Sequence, residues 1–115
     1  MPENETVFSK IQAHCLSKPD AIEDYPWGDT VWKIHPKGKI FCAGGKSAVT
    51  VRATLDEQAA LTQLPGIIPA PYLARYGWVQ IDLSHEQNLD LALDLIDRSY
   101  ELVKTNPKSK PPRLK

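Results

Sequence analysis

The sequence predicts one α+β domain, with helices packed on an antiparallel sheet. Three observations lead there. Segments of helical and strand period alternate in the order helix, three strands, helix, one or two strands, helix. Short turns bearing glycine or proline separate the middle strands, as hairpins require. The chain has 115 residues, 42% of them hydrophobic and 24% charged, which is enough for one core and too little for two. No internal repeat is present.

Residues 5–17 read as a helix, because Val7, Phe8, Ile11, Cys15 and Leu16 recur at near-helical spacing. Pro19 stops it, since a proline disfavours helix in the residue before it. Residues 20–29 read as a connector holding the aromatic turn Tyr25-Pro26-Trp27-Gly28. Three strands follow, marked by Val31, Trp32 and Ile34, then Ile40, Phe41 and Cys42, then Val49 and Val51. Pro36-Lys37-Gly38 and Gly44-Gly45-Lys46 supply the turns between them.

Thr54 and Glu57 have the spacing of a capping box, so a second helix starts there and runs to about Leu64, before Pro65-Gly66. Pro65, Pro69 and Pro71 stiffen the loop beyond. Trp78, Gln80 and Asp82 alternate with Val79, Ile81 and Leu83 in a clear strand. The last helix covers residues 88–105, with Leu89, Leu93, Ile96, Tyr100 and Val103 on one face and Asp90, Asp94, Asp97 and Glu101 on another. Asp94 and Arg98, four apart, are spaced to pair. The domain therefore spans residues 1–105, and residues 106–115 form a basic, proline-containing tail expected to be mobile.

No run approaches the ~18 to 20 apolar residues that a membrane-spanning helix needs. The N-terminal ten residues carry acids and no long apolar stretch, unlike a secretory signal. Two cysteines, Cys15 and Cys42, are too few for a disulfide scaffold, and a reduced cytoplasmic setting is expected.

Lysine plus arginine and aspartate plus glutamate both number 14, so the formal net charge is zero. That excludes a generic polyanion binder held by bulk charge. The charges are segregated, however. Residues 30–53 hold five bases, Lys33, Lys37, Lys39, Lys46 and Arg52, and no acid. Residues 104–115 hold five more, again without an acid, while the two remaining stretches are acidic. Solvated elements need no partner to be lysine-rich, but an all-basic hairpin region is also the electrostatic footprint of a nucleic-acid binder.

Catalytic and metal motifs are weak. Gly44-Gly45-Lys46-Ser47 resembles the end of a phosphate-binding loop, yet the position of that motif's first glycine is Ile40, and the setting is a hairpin. His14, His35 and His85 lie in different elements without ligand spacing, and Cys15 and Cys42 are unpaired in sequence, so no metal is expected. His14 and Cys15 are neighbours on a helix and do not face each other. Glu23 and Asp24 read as a solvated pair, and Ser84-His85-Glu86 as the turn into the last helix. Neither enzymatic chemistry nor a cofactor is expected. Trp32 and Trp78 suit core positions in strands, whereas Trp27, in its Pro-Trp-Gly turn, suits either burial or stacking.

An ordered set of short motifs resembles the MmcQ/YjbR family of small bacterial proteins. The set comprises Tyr25-Pro26-Trp27-Gly28-Asp29, Lys39-Ile40-Phe41, Val49-Thr50-Val51-Arg52, Pro69-Ala70-Pro71-Tyr72-Leu73, Trp78 and Ser99-Tyr100, across about residues 5–105. The resemblance implies an α-β(3)-α-β(2)-α arrangement, similar to secretion-chaperone-like and CyaY-like domains. It also implies DNA binding through a double-wing arrangement, with no catalytic residues to carry over. Arg52 stands where the family commonly has lysine. Leu73-Ala74-Arg75-Tyr76-Gly77-Trp78 replaces a Leu-Asn-Lys-x-His-Trp segment, keeping a base at Arg75 and losing the Asn and His.

Two functions are expected from these readings. In the first, a monomer binds double-stranded DNA, with Lys33, Lys37, Lys39, Lys46, Arg52 and Arg75 on phosphates. In the alternative, a pocket around Trp27, Tyr72, Tyr76 and Trp78 takes a protein or a small ligand, with no nucleic-acid role.

Overall fold

The computed structural model describes residues 6–26, 29–44, 46–71, 73–85 and 87–105. Helix α1, Val7–Leu16, starts at a capping box, where the Thr6 hydroxyl accepts from the Ser9 amide (3.0 Å) and the Ser9 hydroxyl from the Thr6 amide (2.9 Å). Its apolar stripe buries Ile11 and Cys15.

Six strands follow in one antiparallel sheet: β1 Ala21–Asp24, β2 Val31–Ile34, β3 Lys39–Gly44, β4 Ala48–Val51, β5 Ile67–Pro69 and β6 Val79–Asp82. Their spatial order is β1-β2-β3-β4-β6-β5. Helix α2, Leu55–Leu61, lies between β4 and β5, and α3, Gln87–Thr105, ends the described chain. The expected α+β class is therefore what the chain adopts. One element exceeds the expectation, because the connector at 20–29 begins with a strand. β1 pairs with β2 along its whole length, with Glu23 opposite Trp32 and Asp24 opposite Val31.

The register explains the core. Trp32, Cys42, Val51 and Val79 are successive cross-strand partners, and Val49, Ile81 and Ile67 form a second row. Both rows join the buried cluster with Ile11 and Cys15 of α1 and Ala92, Ile96, Tyr100 and Val103 of α3. Because strand side chains alternate, the intervening positions point away from the helices. Ile22, Ile40 and Ile68 remain 40%, 37% and 49% exposed there. The sheet has one helix-covered face and, among the described residues, one open face.

A β-bulge places two consecutive side chains in the core. Trp32 pairs with Cys42 but Lys33 with Ile40, which leaves Phe41 as the extra residue. Phe41 and Cys42 are both fully buried. Phe41 meets the Tyr100 ring edge-on, at 5.2 Å between centroids and 90° between planes. The Ser99 hydroxyl of α3 donates to the Phe41 carbonyl (2.6 Å) and accepts from the Arg52 amide (2.9 Å), standing between β3 and β4 just past their last paired residues. The Tyr100 hydroxyl donates to the Pro19 carbonyl (2.6 Å), tying α3 to the end of α1.

Helix α3 is rotated slightly from the expected face. Asn88, Ala92, Ile96, Ser99, Tyr100 and Val103 are its buried residues, with Leu89 and Leu93 only partly covered. The Asn88 amide donates to the Asp82 carbonyl (3.0 Å) and the Pro65 carbonyl (3.2 Å), which satisfies a polar group in the core. Arg98 pairs with Glu57 of α2 (Nη2–Oε2 2.7 Å) rather than with Asp94, and so links two helices. The capping box at α2 forms as expected, with Thr54 and Glu57 exchanging bonds of 3.1 Å. No described helix is long and apolar enough to cross a membrane.

Candidate basic cleft at one end of the sheet

The turn between β2 and β3, residues 35–38, joins Ile34 to Lys39. The Gly38 amide donates to the Ile34 carbonyl (2.8 Å), and its φ of +75° is one that glycine adopts without strain. This fixes His35, Pro36 and Lys37 as an exposed tip. Helix α3 follows β6 and crosses to the opposite end of the sheet, where its last turn reaches this tip. A cleft of about 390 Å³ lies between them, lined on one side by His35, Lys37 and Lys39 and on the other by Lys104 and Thr105. Ile34, Pro36 and Val103 form its apolar walls. Among the described residues, neither Lys37, Lys39 nor Lys104 lies within ion-pair distance of a carboxylate. Lys104 lies 5.7 Å from the Tyr100 ring centroid, a cation–π distance that helps hold its stem.

The structure divides the other expected phosphate contacts. Consecutive hairpins that share β3 must turn at opposite ends of it, so Lys46 lies a strand length, roughly 20 Å, from Lys37 and Lys39. Lys46 borders a separate hollow of about 250 Å³ with Asp29 and Thr30. Lys33 donates to Asp24 (2.7 Å), so a carboxylate already offsets its charge. Hydrogen bonding and attraction to Lys33 hold the Asp24 carboxyl below its usual range. Arg52 has left the solvent in part: its Nη1 is buried without a hydrogen-bond partner, and burial lowers the guanidinium pKa. Arg75 is exposed, stacked 5.1 Å over Tyr76, in the 3-10 turn Ala74–Tyr76 that leads into β6. That turn is at the cleft's end of the sheet, but two strand spacings from β3, roughly 10 Å.

The aromatic set divides too. Trp78 is buried, and its carbonyl accepts from the Ala70 amide (3.1 Å) and the Gln58 side chain (2.9 Å). Tyr76 is partly covered, and Trp27 and Tyr72 fall outside the described residues, as does the basic tail.

Glu23 and Asp24 lie in strand β1 rather than in a loop; Asp24 stays half exposed beside Lys33, whereas Glu23 is tied down by neighbouring side chains. The Trp32 indole (2.8 Å), the Gln12 amide (2.9 Å) and the Tyr25 hydroxyl all donate to the Glu23 carboxylate. Burial alone would raise its pKa, but those donors outweigh burial and hold it below the usual value. His14 turns away from Cys15 and meets Asp97 at 2.8 Å, where Lys18 also bonds. Cys15 and Cys42, distant in sequence, are neighbours in the core. Burial, and then the Cys15 thiol beside it, push the Cys42 thiol well up. Among the described residues, no group of three or more His, Cys, Asp or Glu side chains could hold a metal ion.

Sequence reasoning missed Lys104 as a partner of Lys37 and Lys39, and His35 beside them. The signal was present in the basic run from residue 104, but only the path of α3 across the sheet joins it to the hairpin.

Against family models, residues 16–102 match YjbR. The chain belongs to the YjbR family. The crystal structure of Deinococcus radiodurans protein DR2400, a DUF419 domain, superposes with a TM-score of 0.77 at 21% identity, covering 91% of this chain and 83% of that one. A Pseudomonas syringae protein solved by structural genomics superposes at 0.69 with 19% identity, covering 81% and 95%. At such identities the likeness carries the fold alone. No curated protein matches. Within this YjbR domain, Phe41, Arg52, Ser99 and Tyr100, four of the residues quoted for the sequence resemblance, meet around the β3 bulge.

Proposed function

We propose that this YjbR protein is a non-enzymatic, monomeric nucleic-acid-binding module of the cell interior, holding phosphates at the cleft between the β2–β3 turn and the end of α3. One observation carries the reading: Lys37, Lys39 and Lys104 come from two elements to border one cleft, and no described carboxylate neutralises them. Zero net charge makes such local concentration necessary, because bulk attraction is unavailable. Arg75 extends the basic rim along the same end of the sheet. Thr105, which borders the cleft, is where the basic sequence 106–115 continues. Compared with a two-winged grip, the footprint is narrower. Lys33 is engaged by Asp24, and Lys46 belongs to the other end.

The test is fluorescence anisotropy of a labelled oligonucleotide at low and near-physiological salt, with the full chain and a form ending at Thr105. Binding that weakens with salt, survives truncation and drops in Lys37→Glu/Lys39→Glu is the expected result. Unchanged affinity in that variant, with the circular dichroism intact, would remove the cleft from the account.

A further inference from the structure

We infer that the cleft takes a single unpaired nucleotide, with its base against the apolar wall and its phosphates on the lysines, so that single-stranded nucleic acid is preferred to duplex. The inference rests on the nucleic-acid reading above and names the form of its ligand. A site that touched only the backbone of a duplex would need cations on an open, polar surface, because the paired bases stay stacked inside the helix. This cleft is built differently. Its lysines rim walls made by Ile34, Pro36 and Val103, with the exposed His35 imidazole beside them. Its volume of about 390 Å³ falls at the lower end of the range for small-ligand sites. A duplex leaves those apolar walls without a partner.

An unpaired nucleotide matches each part of the site. The faces of any base can lie on imidazole, proline ring or aliphatic side chain, largely independent of sequence. The flanking phosphates then fall to Lys37 and Lys39 on one side and Lys104 on the other. The two sides come from different elements, so a strand entering the cleft is held by charge on both sides and by stacking between.

The experiment varies the ligand rather than the protein. The full chain is titrated against three labelled oligodeoxynucleotides of equal length: a mixed-sequence single strand, its duplex, and an abasic strand of identical phosphate count. The expected order is single strand tightest, with the abasic strand weaker by at least about fivefold, the low end of what one stacked base contributes. A ¹H–¹⁵N spectrum with a mononucleotide should shift the amides of Ile34, His35, residues 37–39 and residues 103–105. Equal affinity for the abasic and the base-bearing strand overturns the inference while leaving phosphate binding intact. A duplex bound tighter than the single strand overturns it as well. Failure of all three to bind at low salt removes the nucleic-acid reading itself, and this inference with it.

Discussion

The hydroxyl of Ser99 donates to the carbonyl of Phe41 across 2.6 Å, from a helix into a strand, in a fully buried position. The same oxygen accepts from the Arg52 amide, so one side chain satisfies two backbone groups where the bulge interrupts the ladder. Helix α3 is thereby docked by a polar clip as well as by apolar contact, and its last turn is aligned with the β2–β3 tip.

Ser99→Ala should therefore cost about 1–3 kcal/mol, since it leaves a buried carbonyl and amide unpaired in place of one lost methyl-sized contact. Urea unfolding, with an unchanged m-value, is the measurement. A loss under about 0.5 kcal/mol, the range of ordinary surface changes, would mean that water replaces the hydroxyl.

Gly77→Ala should be more damaging. Gly77 has a φ of +95°, and a Cβ there would press on the carbonyl of Ala53. Positive φ and a backbone clash act together, so a loss of ~2–4 kcal/mol is expected, read as a lower thermal midpoint. At Gly66 the added carbon would meet the Asn88 side-chain nitrogen at 2.7 Å, so an alanine there should disturb the Asn88 clip as well.

Acid should act partly through Glu23. Its folded pKa lies below the ordinary glutamate value, because burial, which would raise it, is outweighed by the bonds from Tyr25, Gln12 and Trp32. The sign follows from linkage. Stability from the ionised carboxylate is fully present above the unfolded value and is lost as pH falls through the lower, folded one. Glu23→Gln should be less stable than the parent at pH 7, and the gap should narrow below the usual glutamate range. A gap independent of pH between 7 and 3 would contradict this.

Charge reversal should separate the two ends of the sheet. Lys37→Glu/Lys39→Glu/Lys104→Glu is expected to weaken oligonucleotide binding at least tenfold and to reduce the slope of log K against log salt by roughly 2–3. Lys46→Glu should change affinity less than about twofold, because it lies at the other end and is screened over that distance. Equal effects at both ends would restore the broader footprint.

Thiol labelling should report opening of the core. Cys15 and Cys42 have no exposed surface, and burial opposes the Cys42 thiolate. An aromatic disulfide reagent should label both rapidly in strong urea and only slowly in the native protein, at rates that track local unfolding.

Much of the fold was legible because its signals are local. The Thr54–Glu57 box, the alternation through Val79 and Ile81, and the glycine after Lys37 each depend on neighbours a few residues away. β1 was not legible, since two of its four residues are acids and its pairing partner begins only at Val31. Ser99 reads as polar on an apolar face until Phe41 and Arg52 are brought to it. Arg98 finds Glu57, 41 residues away in sequence, rather than Asp94 on its own helix. The basic stretch 30–53 was visible as charge, but its division was not. One lysine is matched by Asp24, one arginine is half-buried, and antiparallel geometry sends the two turns in opposite directions.

The borders of the sheet have a consequence for behaviour at high concentration. A fibril grows by adding strands to an unpaired edge. Here one border is β1, only four residues long, with two acids and a turn at Asp20 in the left-handed region. The other is β5, three residues that end in Pro69, which has no amide hydrogen to offer, with Pro71 close behind. Neither offers a long, flat template. The domain can leave Ile22, Ile40 and Ile68 facing solvent on its open side without inviting strand-by-strand polymerisation.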